Sequence, residues 1–187
     1  RAIGFSHVLD REGEAEDTAA TLPPVVIDAD GLNLLGEIED WPALLPPNSV
    51  LTPHPGEFGR LAGLESAEVQ ADRLGLAREK AAEWGAIVVL KGAFTAVAAP
   101  DGRVAVSPFA SAALARAGTG DVLSGMIAGL IGQGLEPFDA ALCAVWLHGA
   151  AGERAAALAT TPAGTVASDL LTHLPHAIHL AERANQL

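Results

Sequence analysis

Short runs of apolar residues alternate with stretches of helical spacing through the first half of the chain. Residues 23–30 (PPVVIDAD) and 85–92 (GAIVVLKG) contain unbroken β-branched runs, which are typical of strands buried on both faces. A third short strand is predicted within residues 48–57 (NSVLTPHPGE). Residues 65–84 place apolar side chains at the spacing of a helix. Strand, helix and strand in this order predict an α/β fold, with a mostly parallel sheet and helices on both faces.

The second half of the chain changes from strands to helices. Two brief strands are predicted within residues 94–108, around an Asp-Gly pair that is a strong signal for a hairpin turn. A helix is predicted over residues 122–133, and Gly134 suits the position just after it. Pro137 suits the first turn of the next helix, and residues 165–184 supply one or two more.

Composition and charge narrow the classes of function. The 187 residues suffice for one domain, half of them are hydrophobic, and the formal net charge is −12. No basic cluster exists to neutralise phosphates, so a nucleic-acid partner is not expected. The apolar runs are too short for a transmembrane span, so no membrane partner is expected. The single cysteine, Cys143, provides no disulfide framework, and the first residues show no signal-peptide pattern, so we expect a cytoplasmic protein.

Residues 116–129 (RAGTGDVLSGMIAG) carry the main candidate for chemistry. Gly118 and Gly120 allow a sharp turn, and the helix that follows presents free N–H groups and the positive end of its dipole. This arrangement predicts a cradle for phosphate or an oxyanion, with Asp121 as a working carboxylate beside it. A plain helix cap is the alternative reading of Asp121. Small residues would let this helix pack closely against a neighbour; they are Ser124, Gly125, Ala128 and Gly129.

Three further polar segments follow predicted strands. They are residues 28–33, 52–57 and 91–95, and with the glycine motif they would meet at the carboxyl edge of the sheet. In the second segment, His54 either contacts a ligand or shapes a loop that two prolines stiffen. Lys91, at the end of a predicted strand, either snorkels to water or, as we prefer, binds a phosphate or nucleotide.

Other polar residues have simpler interpretations. At least one of Asp28 and Asp30 is expected to cap the helix that follows. His148 lies in an apolar helical pattern and is interpreted as an interior histidine. Three histidines at helical spacing near the C-terminus are interpreted as a solvated face rather than a metal site, because no carboxylate or cysteine joins them. They are His173, His176 and His179.

Five segments together carry a resemblance to a known family. VVIDADGLNLL, LTPHPGEFGRLAG, VVLKGAFT and ALARAGTGDVLSGMIAGLIGQG, followed by LHGAAGE, resemble in order and spacing the ADP/ATP-dependent NAD(P)H-hydrate dehydratases of the ribokinase-like superfamily. The resemblance runs from about Gly4 to the C-terminal region. GTGD is shared with many small-molecule kinases of the superfamily, whereas TPHPGE combined with DADGLN is much more specific. The resemblance implies a ribokinase-like α/β fold.

The resemblance also implies a reaction and a set of site residues. Hydrated NADH or NADPH would be dehydrated at the expense of ADP, which yields AMP and phosphate, or of ATP in eukaryotic members, with Mg²⁺ on the nucleotide phosphates. Asp121 would be the catalytic general base. The implied substrate contacts are Gly4, His54 and Asp121. The implied nucleotide contacts are Lys91, Gly92, Ala93, Phe94, Thr95, Gly118, Thr119 and Gly120, within residues 91–95 and 112–120.

The chain also departs from the family pattern. Family members begin with a further strand–helix–strand region, and their GPGLG segment corresponds here to GFSHV at residues 4–8. We therefore expect residues 1–187 to form a single ribokinase-like domain that is truncated on its N-terminal side. We also expect a homo-oligomer, and we consider an epimerase domain or partner acting on the same metabolite. Two alternatives stay open: a ribokinase-like kinase of a vitamin or sugar, and a non-catalytic nucleotide-binding fragment.

Overall fold

A five-stranded sheet forms the centre of the molecule in the computed structural model, which describes residues 22–159 and 164–184. The strands lie in chain order across the sheet. The first three pair in parallel, β4 is antiparallel to β3, and β5 is antiparallel to β4, so four of the five strands in the described ranges share one direction. The predicted α/β class and the hairpin are confirmed. The strands are β1 (Val26–Ile27), β2 (Val50–Leu51), β3 (Ile87–Leu90), β4 (Ala96–Ala98) and β5 (Val104–Val106).

Helices pack on both faces of this sheet, as predicted. One face is covered by the helices that precede β3, and the other by the helices that follow the hairpin. Within the described ranges no helix combines the length and the apolar character needed to cross a membrane. The helices are α1 (Asp30–Leu35), α2 (Pro55–Ala62), α3 (Ser66–Ala71), α4 (Arg73–Trp84), α5 (Thr119–Gly132), α6 (Pro137–Leu158) and α7 (Ala167–Ala184), with 3-10 turns at Trp41–Leu44 and Ala112–Leu114.

Local sequence rules explain how α5 and α6 meet. Helix α5 ends at Gly132, and Gly134 follows with a φ of +96°, a left-handed conformation that glycine adopts without steric cost. Pro137 is the first residue of α6, where its missing N–H would have no helical partner. Both features match the prediction from the sequence.

The predicted helix over residues 65–84 is wrong at one point, because the chain breaks at Asp72 into α3 and α4. Asp72 has φ −142° and ψ 65°, and its carboxylate accepts a hydrogen bond from the Gly75 backbone N–H at 2.9 Å. Asp72 therefore caps the N-terminus of α4. The apolar spacing continues through the break, so periodicity alone did not reveal it.

The predicted capping of α1 by an aspartate is also wrong. Helix α1 begins at Asp30 itself, and the preceding residue, Ala29, makes no capping hydrogen bond with its side chain. Ala29 has a φ of +48°, an uncommon conformation for a residue other than glycine. The Asp28 carboxylate accepts a hydrogen bond from the Ala29 N–H and also contacts Lys91 and Ser124, far along the sequence.

One face of the sheet, which we call the aromatic face, is packed by α1 to α4 with large side chains. Trp84 contacts both other rings, with centroid distances of 5.2 Å to Trp41 and 5.3 Å to Phe58. These rings pack with Leu51 and Val88 of the sheet in one buried cluster. Phe58 is fully buried, so this face concentrates apolar area that folding removes from water.

The opposite face, which we call the small-residue face, is packed by α5 and α6. Leu123 and Ile127 of α5 and Ala144 of α6 cover Val50 and Val89 of the sheet. Helix α6 contributes Ala141 and Ala144 here together with the larger Phe138 and Val145.

Two glycines of α6 allow the segment before α5 to approach the small-residue face. A Cβ at Gly149 would lie 2.1 Å from the ring of Phe109, and a Cβ at Gly152 would lie 2.2 Å from a methyl group of Leu114. Such distances are far below van der Waals contact, so a side chain at either position would force the facing residue to move. These two glycines set the depth at which the segment packs.

The small residues of α5 do not have the packing role predicted for them. Gly125 and Gly129 are exposed, and a Cβ at either position would meet none of the described atoms within 4 Å. Ala128 is exposed as well. Only Ser124 turns inward, where its hydroxyl donates a hydrogen bond to Asp28. The prediction is therefore wrong for three of the four residues.

Candidate active site

The glycine turn opens α5 with unpaired backbone N–H groups. Gly118 occupies the position before the helix with a φ of +84° and makes no side-chain cap. Within the described residues, the N–H groups of Gly120 and Asp121 have no acceptor. The Thr119 hydroxyl lies 2.7 Å from both the Leu114 and Arg116 carbonyl oxygens, to which it donates, and so ties the turn to the preceding segment. The helix end therefore has the donors and the dipole that favour an anion.

A buried histidine supports this turn from below. His148 of α6 is 7% exposed, and its Nε2 lies 2.9 Å from the Thr119 carbonyl oxygen. Burial lowers the pKa of His148 below its ordinary value of 6.5, the Lys91 charge lowers it further, and the bond to Thr119 opposes both. A neutral ring that donates from Nε2 fits this geometry. The predicted interior position of His148 is confirmed.

A polar cluster lies under the first turn of α5. The Lys91 ammonium group lies 2.5 Å from Asp28 Oδ1 and 3.7 Å from Glu57 Oε2. The other oxygen of Asp28 accepts a hydrogen bond from Ser124 at 2.7 Å, and Ser124 lies 3.3 Å from the Thr52 hydroxyl. Burial acts to raise the pKa of Asp28, but hydrogen bonds from Lys91 and Ser124 and the Lys91 charge outweigh it, so the pKa lies below the ordinary 3.8.

This cluster reaches the glycine turn directly. A Cβ at Gly120 would lie 3.4 Å from both Lys91 Nζ and Asp28 Oδ2. A Cβ at position 120 would therefore be in van der Waals contact with the ion pair, so the start of α5 lies directly against the buried charges. Lys91 does not snorkel freely to water, because two carboxylates hold its ammonium group beneath the anion cradle.

His54 shapes its loop through a capping box at the start of α2. Its Nδ1 accepts hydrogen bonds from the N–H groups of Gly56 and Glu57, and Glu57 Oε2 accepts one from the His54 N–H at 2.7 Å. Since Nδ1 is an acceptor, the neutral ring carries its proton on Nε2, which lies 3.3 Å from Glu57 Oε1. The ring is half-exposed at the edge of a cavity.

That cavity, of about 510 Å³, brings together most of the residues predicted for the site. Seven of them line it: His54, Lys91, Gly92, Ala93, Thr95, Thr119 and Gly120. The rest of its wall is mainly apolar and includes Phe109, Ala110, Leu114, Leu123 and His148, with Ser111 and Arg116. A cavity with an apolar wall at one side and lysine and free N–H groups at the other suits a ligand with an aromatic part and an anionic part.

Three predicted residues lie beside the cavity rather than in its wall. Gly118 and Asp121 belong to the same turn as the lining residues Thr119 and Gly120, and the Asp121 side chain is exposed. Phe94 is 54% exposed and has a φ of +54°. Gly4 lies outside the described residues.

The sequence analysis placed Asp28 and Glu57 near the site but assigned no binding role to either. Thr52 was likewise expected only as part of the segment 52–57, and Ser124 only as a small packing residue, with no role for either hydroxyl. One signal was available, because DADGLN and TPHPGE each end a predicted strand with a carboxylate at the ligand edge. The partners themselves could not be found locally, since Asp28 pairs with residues 63 and 96 positions away.

Comparison with known proteins decides the family. The sequence profile of the NAD(P)H-hydrate dehydratases matches residues 12–176. The chain belongs to the NAD(P)H-hydrate dehydratase family. It is 48% identical over 161 residues to the bifunctional NAD(P)H-hydrate repair enzyme Nnr of Moorella thermoacetica, covering 85% of this chain and 30% of that protein. It is 45% identical over 155 residues to the ADP-dependent (S)-NAD(P)H-hydrate dehydratase of Neisseria meningitidis serogroup B, covering 82% and 52%.

Solved structures of NAD(P)H-hydrate dehydratases and their relatives share the fold. An ADP/ATP-dependent NAD(P)H-hydrate dehydratase from Bacillus subtilis, co-crystallised with ATP/Mg²⁺, superposes with a TM-score of 0.75 at 37% identity and covers 83% of this chain and 54% of that one. A ribokinase-like superfamily protein from Enterococcus faecalis, at 24% identity and a TM-score of 0.67, covers 84% and 54% and shows the same fold. The predicted family and ribokinase-like fold are confirmed. The chain spans about half the length of the single-activity relative and about a third of the bifunctional one.

Proposed function

We propose that the protein is a cytoplasmic ADP-dependent (S)-NAD(P)H-hydrate dehydratase, which repairs hydrated NADH and NADPH while ADP is converted to AMP and phosphate. The observation that carries the proposal is the cavity in which Lys91 and the free N–H groups at the glycine turn meet an apolar wall. Membership of the dehydratase family supports this choice over a kinase that leaves its product phosphorylated.

The nucleotide fits the two sides of the cavity. Its adenine would lie against the apolar wall, which includes Phe109, Leu114 and Leu123. Its phosphates would accept hydrogen bonds from the N–H of Gly120 at the start of α5, with Lys91 nearby as a positive charge. These donors would also stabilise the phosphoryl oxygens as negative charge shifts during transfer.

The second substrate would approach from the solvent side of the turn, where Asp121 is exposed. Hydroxide is a poor leaving group, so the hydroxyl on C6 of the nicotinamide ring is first phosphorylated. Asp121 would take the proton of this C6 hydroxyl group. The hydroxyl oxygen would attack the β-phosphorus of ADP, and AMP would leave. Phosphate then departs with the electrons of the C6–O bond, a proton is lost from the neighbouring ring carbon, and the double bond of NADH is restored.

Mg²⁺ is expected with the nucleotide phosphates, where it would neutralise part of their charge. Proteins usually hold this ion through one or two carboxylates together with substrate phosphates. Asp28 and Glu57 are the carboxylates next to Lys91 beneath the cradle, and they would hold it.

We further propose that the protein forms a homo-oligomer and that a second repair activity, an epimerase domain or partner, acts on the same metabolite. Exposed apolar side chains on α7 support the first point; they are Leu171, Ile178 and Leu180. The description of several relatives as bifunctional repair enzymes supports the second.

The test is phosphate release and recovery of NADH by the full-length protein, with hydrated NADH and either ADP or ATP. The matched variant is Asp121→Asn, because asparagine caps a helix about as well as aspartate but cannot act as a base. We expect ADP to support turnover and the variant to lose about a hundredfold to ten-thousandfold in rate, with ADP still bound. The mechanism would be contradicted if the wild-type protein left its product phosphorylated instead of releasing phosphate. It would also be contradicted if the turnover rate of the variant were within about threefold of the wild-type rate.

A further inference from the structure

Arg73 contacts the loop that follows β3 from behind the cavity wall. Its guanidinium donates hydrogen bonds to the backbone carbonyl oxygens of Leu90 at 2.9 Å, of Lys91 at 3.2 Å and of Ala93. Three carbonyls of one short loop are therefore held by one planar group whose donors point in fixed directions. The loop cannot change shape without breaking several of these bonds.

The placement of this arginine runs against local preference. Arg73 is the first residue of α4, where the positive end of the helix dipole disfavours a cation. It forms no salt bridge with any described carboxylate, its Nε is buried without a partner among the described residues, and burial lowers its pKa. Arg73 directly follows the break in the helix at Asp72. A locally unfavourable residue that the surroundings retain points to a functional reason.

The loop is shaped to accept the guanidinium. Gly92 has a φ of +146°, and a Cβ at this position would lie 2.9 Å from Arg73 Nη2. A side chain at position 92 would therefore strain the backbone and displace the arginine. Glycine and arginine form one unit, although 19 positions separate them.

The consequence for the cavity follows from peptide geometry. The described residues contain no cis peptide, so the N–H of Gly92 points opposite to the Lys91 carbonyl that Arg73 binds. Among the described residues, the N–H groups of Gly92 and Ala93 have no acceptor, whereas those of Lys91 and Phe94 are bonded to Pro53 and Phe109. Gly92 and Ala93 both line the cavity. The arginine thus fixes carbonyls on one side of the loop and leaves free donors on the other.

We propose that Arg73 is a positioning residue that holds the loop 91–93 so that the Gly92 N–H donates to a phosphate of the bound nucleotide. This inference rests on the proposed function, since it requires an adenine nucleotide in the cavity. Together with the start of α5, the loop supplies a second set of backbone donors to the same anion. Arg73 itself does not touch the ligand.

The test compares ADP with adenosine, because only ADP carries the phosphates that the loop would bind. Dissociation constants for both are measured by calorimetry on the full-length wild type and on Arg73→Met, Arg73→Lys and Gly92→Ala. Arg78→Met, an exposed arginine on the same helix, is the control. In each of the three variants, the ratio of the adenosine Kd to the ADP Kd should fall about tenfold. The control should keep the wild-type ratio.

The variants distinguish a positioning role of Arg73 from a purely structural one. Lysine keeps the charge but cannot donate to three carbonyls at once. A wild-type preference for ADP over adenosine in Arg73→Lys would therefore overturn the proposal. An unchanged preference in Arg73→Met and Gly92→Ala would overturn it too. Variants that weaken ADP and adenosine equally, or that lose the fold, would assign Arg73 a structural role and likewise overturn it. Wild-type protein that binds no adenine nucleotide would instead reject the proposed function, and this inference with it.

Discussion

The two faces of the sheet are built from different side chains and support different properties. The aromatic face holds Trp41, Phe58 and Trp84 in one buried cluster with the strands. The small-residue face packs mainly aliphatic side chains, and Gly149 and Gly152 of α6 admit the segment that lines the cavity. Three clustered aromatic rings stabilise the sheet on one side, whereas on the other side the two glycines of α6 admit the segment that lines the cavity beside the glycine turn.

The largest effect on stability is expected on the aromatic face. Phe58→Ala removes a fully buried ring that packs against Trp84, so the free energy of unfolding should fall by about 3–5 kcal/mol. Denaturant unfolding of the variant measures this loss. Nucleotide affinity of the folded fraction should stay at the wild-type value, and Leu34→Ala, on the exposed side of α1, is the control. A weakened nucleotide affinity in Phe58→Ala would show that the two faces are not independent.

On the small-residue face, Gly149→Ala should cost less stability and more nucleotide affinity than Phe58→Ala. In Gly149→Ala the new methyl group would overlap the ring of Phe109, which must move. Overpacking costs about 1–3 kcal/mol, offset in part by about 1 kcal/mol of helix propensity. Because Phe109 lines the cavity, ADP affinity should fall, as calorimetry can measure. Wild-type affinity in this variant would mean that Phe109 does not shape the nucleotide site.

The third prediction concerns pH. His148 has a pKa below 6.5 in the folded protein because it is buried, so the unfolded chain takes up a proton first as the pH falls. Its contribution to stability is complete above 6.5 and is lost below it, by at most about 1.4 kcal/mol per pH unit. Unfolding free energies of wild type and His148→Gln across this range should therefore diverge on acidification. Parallel curves would contradict the buried neutral state.

The smallest effect is expected on the outer side of α5. Gly129→Ala adds a methyl group where none of the described atoms lies within 4 Å, so it should raise stability by up to about 1 kcal/mol through helix propensity. Turnover should not change. The contrast with Gly149→Ala matters, since the same substitution in the neighbouring helix has the opposite sign. A melting temperature that falls in Gly129→Ala would indicate a packing partner for this surface.

Residues that act locally could be predicted from the sequence. Gly118, Gly134 and Pro137 each follow a rule about backbone conformation at a helix end, and each lies where the rule places it. Both β-branched runs form strands as predicted, but only β3 is fully buried, whereas β1 is partly buried at the edge of the sheet. The glycine turn therefore stood out as a candidate anion cradle before any geometry was known.

Residues that act through distant partners could not be predicted from the sequence. The helical pattern continues across the break at Asp72, and the contact of Arg73 beside it with the loop after β3 joins residues far apart in the sequence. The same holds for Asp28, which the sequence suggests as a helix cap and which instead pairs with Lys91 and Ser124. Similarly, Gly125 and Gly129 of α5 look like Gly149 and Gly152 of α6 in the sequence, yet only the two in α6 meet a neighbour.

A crystal structure of the full-length protein with ADP tests the central claim most directly, because it locates the nucleotide relative to the two faces. We predict phosphates within hydrogen-bond distance of the Gly120 N–H and beside Lys91, with adenine against Phe109 and Leu114. Phosphates bound away from the glycine turn, or adenine outside the cavity on the small-residue face, would contradict the account.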